Sequence, residues 1–348
     1  MPSIARLLSV LLSCLCGAAM AAAAPVLGTG ATFPAQVYGS WAQAFAKAGG
    51  GQVGYTGTGS GDGIRQISDR QVDFGGTDAP LPAAELARRK LVQIPMLVGG
   101  VVPVVQLPGL AAPLLLDGEL LADIFLGRVV RWNDGRIAAL NPGVALPALA
   151  IRRVVRAERS GTSDGFSRYL AGASARFKAE VAAGQAPAWP GEVLRAEGND
   201  GMVRLLRATP GAIAYVSYDR VLRDRLAAVK LRNRAGRFVA PSEAGFRAAI
   251  LDSDMHRQGD DQATLLDRPG AEAWPITLTS FVLVDAEPAG AMQAGATLKF
   301  LYWCFMHGDE LTRGSGFAPL PVSVQSRLAA RFTQVRPRDG QLPAYQLF

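Results

Sequence analysis

The sequence predicts an α/β protein of about two domains, and three observations support this. The chain has 348 residues, and a domain typically holds ~150. Hydrophobic residues make up 49% of the chain and charged residues only 19%, so a sizeable core is expected and wholesale disorder is excluded. Short apolar runs with strand character alternate with segments of helical periodicity. Such alternation is typical of sheets covered by helices.

The first element, residues 1–24, is predicted to be a cleavable signal peptide outside the fold. Arg6 supplies a positive charge, an apolar stretch follows, and residues 21–24 are all alanine, which suits signal peptidase. The apolar stretch is short for a permanent membrane anchor. Lipid attachment at Cys14 is disfavoured, because the residues before it match a lipid-attachment motif only loosely. We therefore expect an exported protein whose mature chain begins near Pro25.

The mature chain contains candidate strands and helices in alternation. Candidate strands are apolar and rich in β-branched residues, and they lie at 52–55, 72–75, 98–106, 151–156, 212–217 and 276–284. Candidate helices place apolar residues three or four positions apart, and they lie at 34–46, 63–69, 82–90, 118–125, 164–170, 201–207 and 291–306. The uncharged stretch 94–116 is predicted to contain a buried strand rather than a membrane span, because four prolines interrupt it.

Two breaks in the pattern suggest how the domains are arranged. One lies at Gly99-Gly100 and the other near Pro269-Gly270. A two-lobed fold in which the chain crosses between lobes and then returns would place breaks at such points. The predicted lobes are 25–100 together with 272–348 for lobe 1, and 101–271 for lobe 2.

Composition argues against several classes of function. The formal charge is +7, yet only five of the 36 cationic residues are lysines and no basic run is interleaved with aromatic residues, so nucleic-acid binding is not expected. His256 and His307 are too few and too far apart for a histidine-based metal site. Once the signal is removed Cys304 is alone, which favours a buried, inert thiol over a disulfide.

Small and hydroxyl residues precede three of the candidate helices. Thr32 precedes the candidate helix at 34–46, which Pro34 begins. Ser60 lies among four glycines before the candidate helix at 63–69. The candidate helix at 164–170 follows Ser160-Gly-Thr162, with Arg156 just upstream. A helix N-terminus offers unpaired N–H groups and a partial positive charge, so each could hold an anion. One alone is more simply an ordinary helix cap. Three in one chain favour a shared anion site.

Catalytic alternatives find less support in the same residues. The P-loop pattern is absent, the glycines at 28–33 lack the third glycine of the dinucleotide fingerprint, and Gly-x-Ser-x-Gly does not occur around Ser60 or Ser160. Carboxylates are scattered rather than clustered as a divalent metal would require. Binding without chemistry is the favoured interpretation, with no cofactor and no catalytic residue.

Ten short motifs follow one another between about Gly28 and about Arg331. They are Gly30-Ala-Thr-Phe-Pro34, Gly57-Thr-Gly-Ser60, Val72-Asp-Phe-Gly-Gly-Thr-Asp-Ala-Pro80, Ile124-Phe-Leu-Gly127, Trp132-Asn-Asp134, Leu140-Asn-Pro-Gly143, Ser160-Gly-Thr162, Gly198-Asn-Asp-Gly201, Pro210-Gly-Ala-Ile213 and Ala273-Trp-Pro-Ile-Thr277. In this order they resemble the periplasmic phosphate-binding protein of bacterial ABC phosphate importers. The resemblance implies a type II periplasmic binding protein, in which two hinge-linked α/β lobes close on one dehydrated phosphate.

The resemblance also implies the ligand set. The phosphate-binding residues would be Thr32, Phe33, Ser60, Asp78, Arg156, Ser160, Gly161 and Thr162. Asp78 would accept the proton that phosphate retains; considered without the resemblance, it would more simply be a turn residue. Where the family commonly has Asp-Gly, this chain has Glu158-Arg159. We expect Glu158 to pair with Arg156 and Arg159 to add a cation at the mouth of the site. Asp62, where small residues are usual, is expected to cap a helix that starts near Gly63.

The expected function is therefore that of a monomeric, non-enzymatic periplasmic receptor. It would hand inorganic phosphate to a membrane permease with a cytoplasmic ATPase and would touch the membrane only through that permease. Two alternatives stay open on the sequence alone. One is a phosphate-ester hydrolase or transferase on a similar scaffold, and the other is a phosphate sensor or surface protein that serves no importer.

Overall fold

Fifteen consecutive buried residues, Leu91–Val105, form the longest strand of the protein. The structure is a computed structural model that describes residues 24–110 and 112–346. In chain order its strands are β1 Val26–Gly30, β2 Val53–Gly57, β3 Phe74–Thr77, β4 Leu91–Val105, β5 Leu115–Leu116, β6 Arg152–Arg156, β7 Leu194–Ala196, β8 Ala212–Ser217, β9 Ala227–Ala228, β10 Lys230–Arg232, β11 Phe238–Val239, β12 Thr277–Asp285 and β13 Phe317–Pro319.

The helices lie between these strands along the chain. In chain order they are α1 Ala35–Lys47, α2 Ser60–Ser68, α3 Ala83–Arg89, α4 Gly118–Phe125, α5 Gly135–Leu140, α6 Gly161–Ala173, α7 Ala175–Glu180, α8 Gly198–Ala208, α9 Tyr218–Asp224, α10 Glu243–Leu251, α11 Asp254–Arg257, α12 Ala291–Thr312 and α13 Val322–Ala329, followed by a 3-10 turn Ala330–Gln334. The alternation predicted from the sequence is confirmed.

One large mixed sheet carries the architecture. Its strand order is β2-β1-β3-β12-β4-β8-β6-β7, with β13 and β9 also paired to β4, and β11-β10-β5 form a small second sheet. Residues 91–100 of β4 pair with β12, whereas residues 101–105 pair with β8. We call the part built on β1, β2, β3 and β12 lobe 1, and the part built on β6, β7 and β8 lobe 2. The fold is therefore two-lobed, with β4 shared between the lobes.

The chain crosses between the lobes where β4 changes partners. The backbone N–H of Val101 donates to the carbonyl of Ile276 (2.8 Å), and the indole N–H of Trp274 donates to the carbonyl of Val101 (3.0 Å). The outgoing and returning segments are thus held side by side. The breaks near Gly99-Gly100 and Pro269-Gly270 and the lobe boundaries drawn from them remain a prediction.

Each lobe is packed around its own aromatic cluster. In lobe 1, helix α1 buries Tyr38, Trp41 and Phe45 on one face, and the Trp41 indole N–H donates to the carbonyl of Gly308 on α12 (3.1 Å). In lobe 2, Phe166 of α6 stacks on Tyr215 of β8, with ring centroids 4.3 Å apart. These clusters anchor α1 and α6, two of the helices whose N-termini matter below.

The bounds lie within about two residues for most of the predicted elements and differ by more in five. Helix α8 begins three residues earlier and α12 ends six residues later than predicted. The predicted strand 98–106 is the end of β4, which starts at Leu91 because its N-terminal half is also buried on both faces. Helix α2 begins at Ser60 rather than near Gly63, and α6 begins at Gly161 rather than at 164. Both helices therefore start at the hydroxyl and glycine residues themselves.

Several remaining expectations concern the thiol, the membrane and the N-terminus. Cys304 is buried in α12, as predicted, and burial raises the pKa of its thiol well above the usual value. Among residues 24–110 and 112–346, the structure has no helix with both the length and the apolar character to cross a bilayer. Residues 1–23 of the predicted signal peptide, which include Cys14, lie outside the described part of the chain.

Candidate anion-binding site

Three helix N-termini converge where lobe 1 meets lobe 2. Helices α1 and α2 belong to lobe 1 and α6 to lobe 2. A Cβ placed on Gly161, the first residue of α6, would lie 2.5 Å from Ser60 Oγ and 2.8 Å from Asp78 Cβ. The backbone N–H of Gly61 donates to the carbonyl of Arg159 across the lobes (3.2 Å). The structure thus shows the lobes in close contact, with the first residues of α2 and α6 beside each other.

Thr32 and Phe33 lie in the turn between β1 and α1. Gly30 precedes them with φ = 134°, a conformation that glycine adopts readily, and it packs against the backbone of Gly76. Phe33 is buried with its ring edge-on to Phe317. Pro34, not Thr32, is the N-cap of α1, so Thr32 does not cap the helix. Its hydroxyl instead accepts from Arg156 Nη2 (2.9 Å).

Ser60 is the first residue of α2 and is almost fully buried. Gly59 precedes it with φ = 106°, which turns the chain sharply into the helix. Ser60 Oγ accepts from the backbone N–H of Asp78 (3.2 Å), which joins the start of α2 to the end of β3. The expectation that Asp62 caps this helix is wrong, because the helix starts two residues before it. Asp62 pairs with Arg65 on the surface instead.

Asp78 follows β3 and lies inside the protein, with 3% of its surface exposed. Its Oδ1 accepts from the hydroxyl of Ser280 on β12 (2.8 Å). Burial raises the pKa of the carboxyl to about 7, against the opposing effects of the Ser280 hydrogen bond and the Arg156 charge. The side chain makes no local turn bond, so the interpretation of Asp78 as an ordinary turn residue fails.

Arg156 ends β6 and supplies the buried positive charge. Its side chain is 1% exposed, and its guanidinium donates to Thr32 Oγ1 (2.9 Å), to Thr162 Oγ1 (3.4 Å) and to Glu158. Its Nε is buried with no hydrogen-bond partner among the described residues. A buried, charged donor without a partner is unfavourable unless a ligand satisfies it.

The start of α6 is built by Ser160, Gly161 and Thr162, all buried. Ser160 is the N-cap, and its hydroxyl accepts from the N–H of Ser163 (3.3 Å). Tyr215 OH accepts from the backbone N–H of Arg156 (3.3 Å) and lies 2.7 Å from Ser163 Oγ. Tyr215 therefore fixes the end of β6 against the first turn of α6.

Glu158 and Arg159, which stand where the family commonly has Asp-Gly, make different contacts. Glu158 pairs with Arg156, as expected, and its Oε1 also accepts from the N–H of Gly198 at the start of α8 (3.2 Å). Arg159 is exposed, and its side chain lies across Gly61, within 2.5 Å of where a Cβ on that glycine would be. Arg159 thus spans the rim between the lobes rather than entering the site.

A cleft of about 720 Å³ opens beside these residues between the lobes. Thr32 and Glu158 form its inner end, and Arg223 bridges it by donating to Gln36 Oε1 (2.8 Å). In the described part of the chain no three histidine, cysteine or acidic side chains are grouped as a metal ion would require. The chemistry available is therefore hydrogen bonding from helix N-termini, the Arg156 guanidinium and two carboxyls, of which Glu158 is paired with Arg156 and Asp78 is not. This set suits a small oxyanion that carries a proton.

The structure brings the eight predicted binding residues to this junction, but the residues that hold them there were not predicted. Ser280, Tyr215 and Gly198 each contact a predicted site residue. Gly198 belongs to a quoted motif, and Tyr215 and Ser280 lie on predicted strands. No local signal distinguished their roles.

Comparison with known proteins places the chain in the PBP superfamily, beside relatives named as phosphate-binding proteins. A family model described as the PBP superfamily domain matches residues 17–306. The phosphate-binding protein PstS of Xylella fastidiosa is 38% identical over 306 residues, covering 88% of this chain and 84% of that protein. PstS of Pasteurella multocida is 37% identical over 319 residues, covering 91% and 92%. A high-affinity periplasmic phosphate-binding protein, PfluDING, solved with bound phosphate, superimposes with a TM-score of 0.70 at 23% identity, covering 88% and 93%.

Proposed function

Because this chain belongs to the PstS family of phosphate-binding proteins, within the PBP superfamily, we propose that it binds inorganic phosphate between its two lobes. The observation that carries this proposal is a buried guanidinium, Arg156, and a buried carboxyl, Asp78, which lie at three helix N-termini and are not bonded to each other. Arg156 offers a donor, Nε, with no partner among the described residues, and Asp78 offers an acceptor that a protonated oxyanion can use.

Each predicted residue has a distinct part in this proposal. Lobe 1 would contribute the backbone N–H groups of Thr32 and Phe33, the hydroxyls of Thr32 and Ser60, and the Asp78 carboxylate. Lobe 2 would contribute the Arg156 guanidinium and the N–H and hydroxyl groups of the start of α6, namely Ser160, Gly161 and Thr162. Donors from two lobes around one anion would stabilise the closed arrangement over an open one.

Selectivity would come from the carboxylate. Phosphate keeps at least one proton near neutral pH and can donate it to Asp78, whereas sulfate has none to donate. An ionised Asp78 would then repel sulfate in a site from which water is excluded. The proposal therefore includes discrimination between two anions of nearly the same size and shape.

We also propose the setting in which the protein acts. It would be exported through the signal peptide of residues 1–24, act in the periplasm as a monomer, and deliver phosphate to an ABC importer permease with a cytoplasmic ATPase. Lobe 1 would comprise 25–100 and 272–348, and lobe 2 would comprise 101–271. The relatives are named as phosphate-binding proteins, which supports a binding protein rather than an enzyme.

Calorimetric titration of the purified mature chain tests the binding proposal. Phosphate should bind with one site per chain and sulfate should bind far more weakly at pH 8. Arg156→Ala should abolish binding. Arg247→Ala changes an exposed residue of α10 that does not line the cleft, and it should leave binding unchanged. Absence of phosphate binding by the wild type refutes the proposal. Release of phosphate from a chromogenic phosphate ester would instead identify an enzyme.

A further inference from the structure

The environment of Asp78 contains one hydrogen-bond donor from the far end of the chain. Ser280, on β12, is fully buried and donates its hydroxyl proton to Asp78 Oδ1 (2.8 Å). Among the described residues it is the only side chain that donates to this carboxylate. Asp78 itself lies beside Ser60 and Gly161, at the helix N-termini of both lobes.

Strand register explains why residues 202 positions apart meet. Strands β3 and β12 are antiparallel, and their ladder ends with Thr77 opposite Phe281. The next residues along the two strands are Asp78 and Ser280, which therefore face each other just past the ladder. On its other edge β12 has an irregularity in its pairing with β4, between Ser280 and Phe281. Such irregularities re-aim side chains and are common beside functional sites.

We propose that Ser280 is a positioning residue for ligand selectivity: by donating to Oδ1, it keeps Asp78 ionised and leaves the other carboxylate oxygen to accept from a protonated oxyanion. This proposal rests on the proposed function. A hydroxyl that donates to a carboxylate favours the charged form over the neutral acid. Without that donor Asp78 would protonate more readily, and a protonated carboxyl would donate to sulfate instead of repelling it.

The other groups around Asp78 leave this role to Ser280. Burial raises the pKa of Asp78 to about 7, while Ser280 and the Arg156 guanidinium lower it. Tyr38 of α1 and Tyr55 of β2 are also near, but burial raises the pKa of each phenol well above its usual value, so both stay neutral. Asp164 and Arg168 line the cavity that Asp78 borders, and they are paired with each other (2.7 Å). Because Arg156 would also bind the anion, Ser280 is the donor to this carboxyl that does not itself belong to the proposed ligand set.

The test measures sulfate and phosphate affinity by calorimetry from pH 5 to pH 8.5. In the wild type, sulfate binding should appear only as the pH falls towards the pKa of Asp78. In Ser280→Ala that onset should move upward by about one to two pH units, since a hydrogen bond to a charged group is worth roughly tenfold to a hundredfold in equilibrium. Phosphate-over-sulfate selectivity at pH 7.5 should fall by a similar factor.

Two further variants separate positioning from packing. Ser280→Thr keeps the donor and should keep the wild-type pH profile. Thr279→Val is the matched control, because the Thr279 hydroxyl on the adjacent residue is buried with no hydrogen-bond partner among the described residues. It should leave both affinities unchanged.

The possible outcomes bear separately on the two proposals. A folded Ser280→Ala protein with the wild-type sulfate profile overturns the role of Ser280 while leaving phosphate binding intact. If Ser280→Ala does not fold, Ser280→Cys, a weaker donor, takes its place and the same unshifted profile overturns the role. A wild type that binds no phosphate at any pH rejects the proposed function itself.

Discussion

A single methyl group at the start of α6 should prevent the lobes from closing. Gly161 is in lobe 2, and its Cβ position lies 2.8 Å from Asp78 Cβ and 2.9 Å from the Asp78 backbone nitrogen in lobe 1. Carbon atoms in contact are normally ~3.5–4.0 Å apart. In Gly161→Ala the two lobes must therefore separate by roughly 1 Å at this point, because backbone on the Asp78 side cannot rotate away as a long side chain would.

The loss of affinity follows from the contacts that such a separation breaks. Arg156 Nη2 to Thr32 Oγ1 (2.9 Å) and Gly61 N to the Arg159 carbonyl (3.2 Å) both join the lobes. A shift of ~1 Å takes both beyond hydrogen-bonding distance. One bond involves a charged donor and the other is neutral, which together amount to ~2–4.5 kcal/mol. We expect phosphate affinity to fall by about 30-fold to 2,000-fold.

Calorimetry on folded protein measures this effect against a control in the same helix. Gly172 also lies in α6, and a Cβ there meets nothing within 4 Å. Gly172→Ala should bind phosphate as the wild type does, and it should raise stability by ~0.5–1 kcal/mol because alanine favours the helix. If Gly161→Ala binds phosphate within about threefold of the wild type, the close contact between the lobes does not govern binding and the reasoning fails.

Three further predictions follow from the same site. Asp78→Asn should erode phosphate-over-sulfate selectivity more than Glu158→Gln does in competition binding, because Glu158 contacts Arg156 and Gly198 whereas Asp78 is the proposed proton acceptor. The reverse order would assign that role to Glu158. Saturating phosphate should lower the radius of gyration in X-ray scattering and raise the melting temperature, and unchanged curves would contradict a site shared by two lobes. Because burial raises the pKa of Asp78 from 3.8 to about 7, the folded protein binds this proton more tightly than the unfolded chain, so the stabilisation is complete below about pH 4 and is lost as pH rises to about 7. In urea unfolding of the ligand-free protein, the free energy of unfolding of Asp78→Asn should therefore rise relative to that of the wild type between about pH 4 and pH 7. Parallel stability curves for the two proteins would refute the raised pKa.

The sequence predicts the parts of this site that local chemistry determines. Ser160 could be placed before a helix because a hydroxyl residue, a glycine and an apolar-periodic segment occur in succession. The bounds of α4 and β8 were predicted to the residue. Where glycine and serine themselves form the first turn, as in α2 and α6, apolar periodicity begins later than the helix and the predicted start is too late.

What the sequence does not predict depends on register between distant strands. Residues 276–284 are recognisable as a strand, but nothing local shows that Ser280 faces Asp78. That pairing depends on which residue of β12 lies opposite Thr77, and β12 reaches this place only after the chain has built the whole of lobe 2. The same applies to Tyr215, whose contact with Arg156 depends on how β8 is placed beside β6.

The position of β12 between β3 and β4 also determines the order in which the protein can fold. Both neighbours come from the first 105 residues, whereas β12 begins at Thr277. During synthesis the edges of β3 and β4 must wait for a strand that emerges about 170 to 200 residues after them, whereas β6, β7 and β8 pair with one another within roughly 60 residues. Lobe 2 should thus form early, and lobe 1 should follow slowly with its unpaired edges exposed to wrong partners. Because Ser280 lies on this late strand, its hydrogen bond to Asp78 can form only after β12 has paired with β3. Under the proposed function, selective phosphate binding should therefore recover late in refolding.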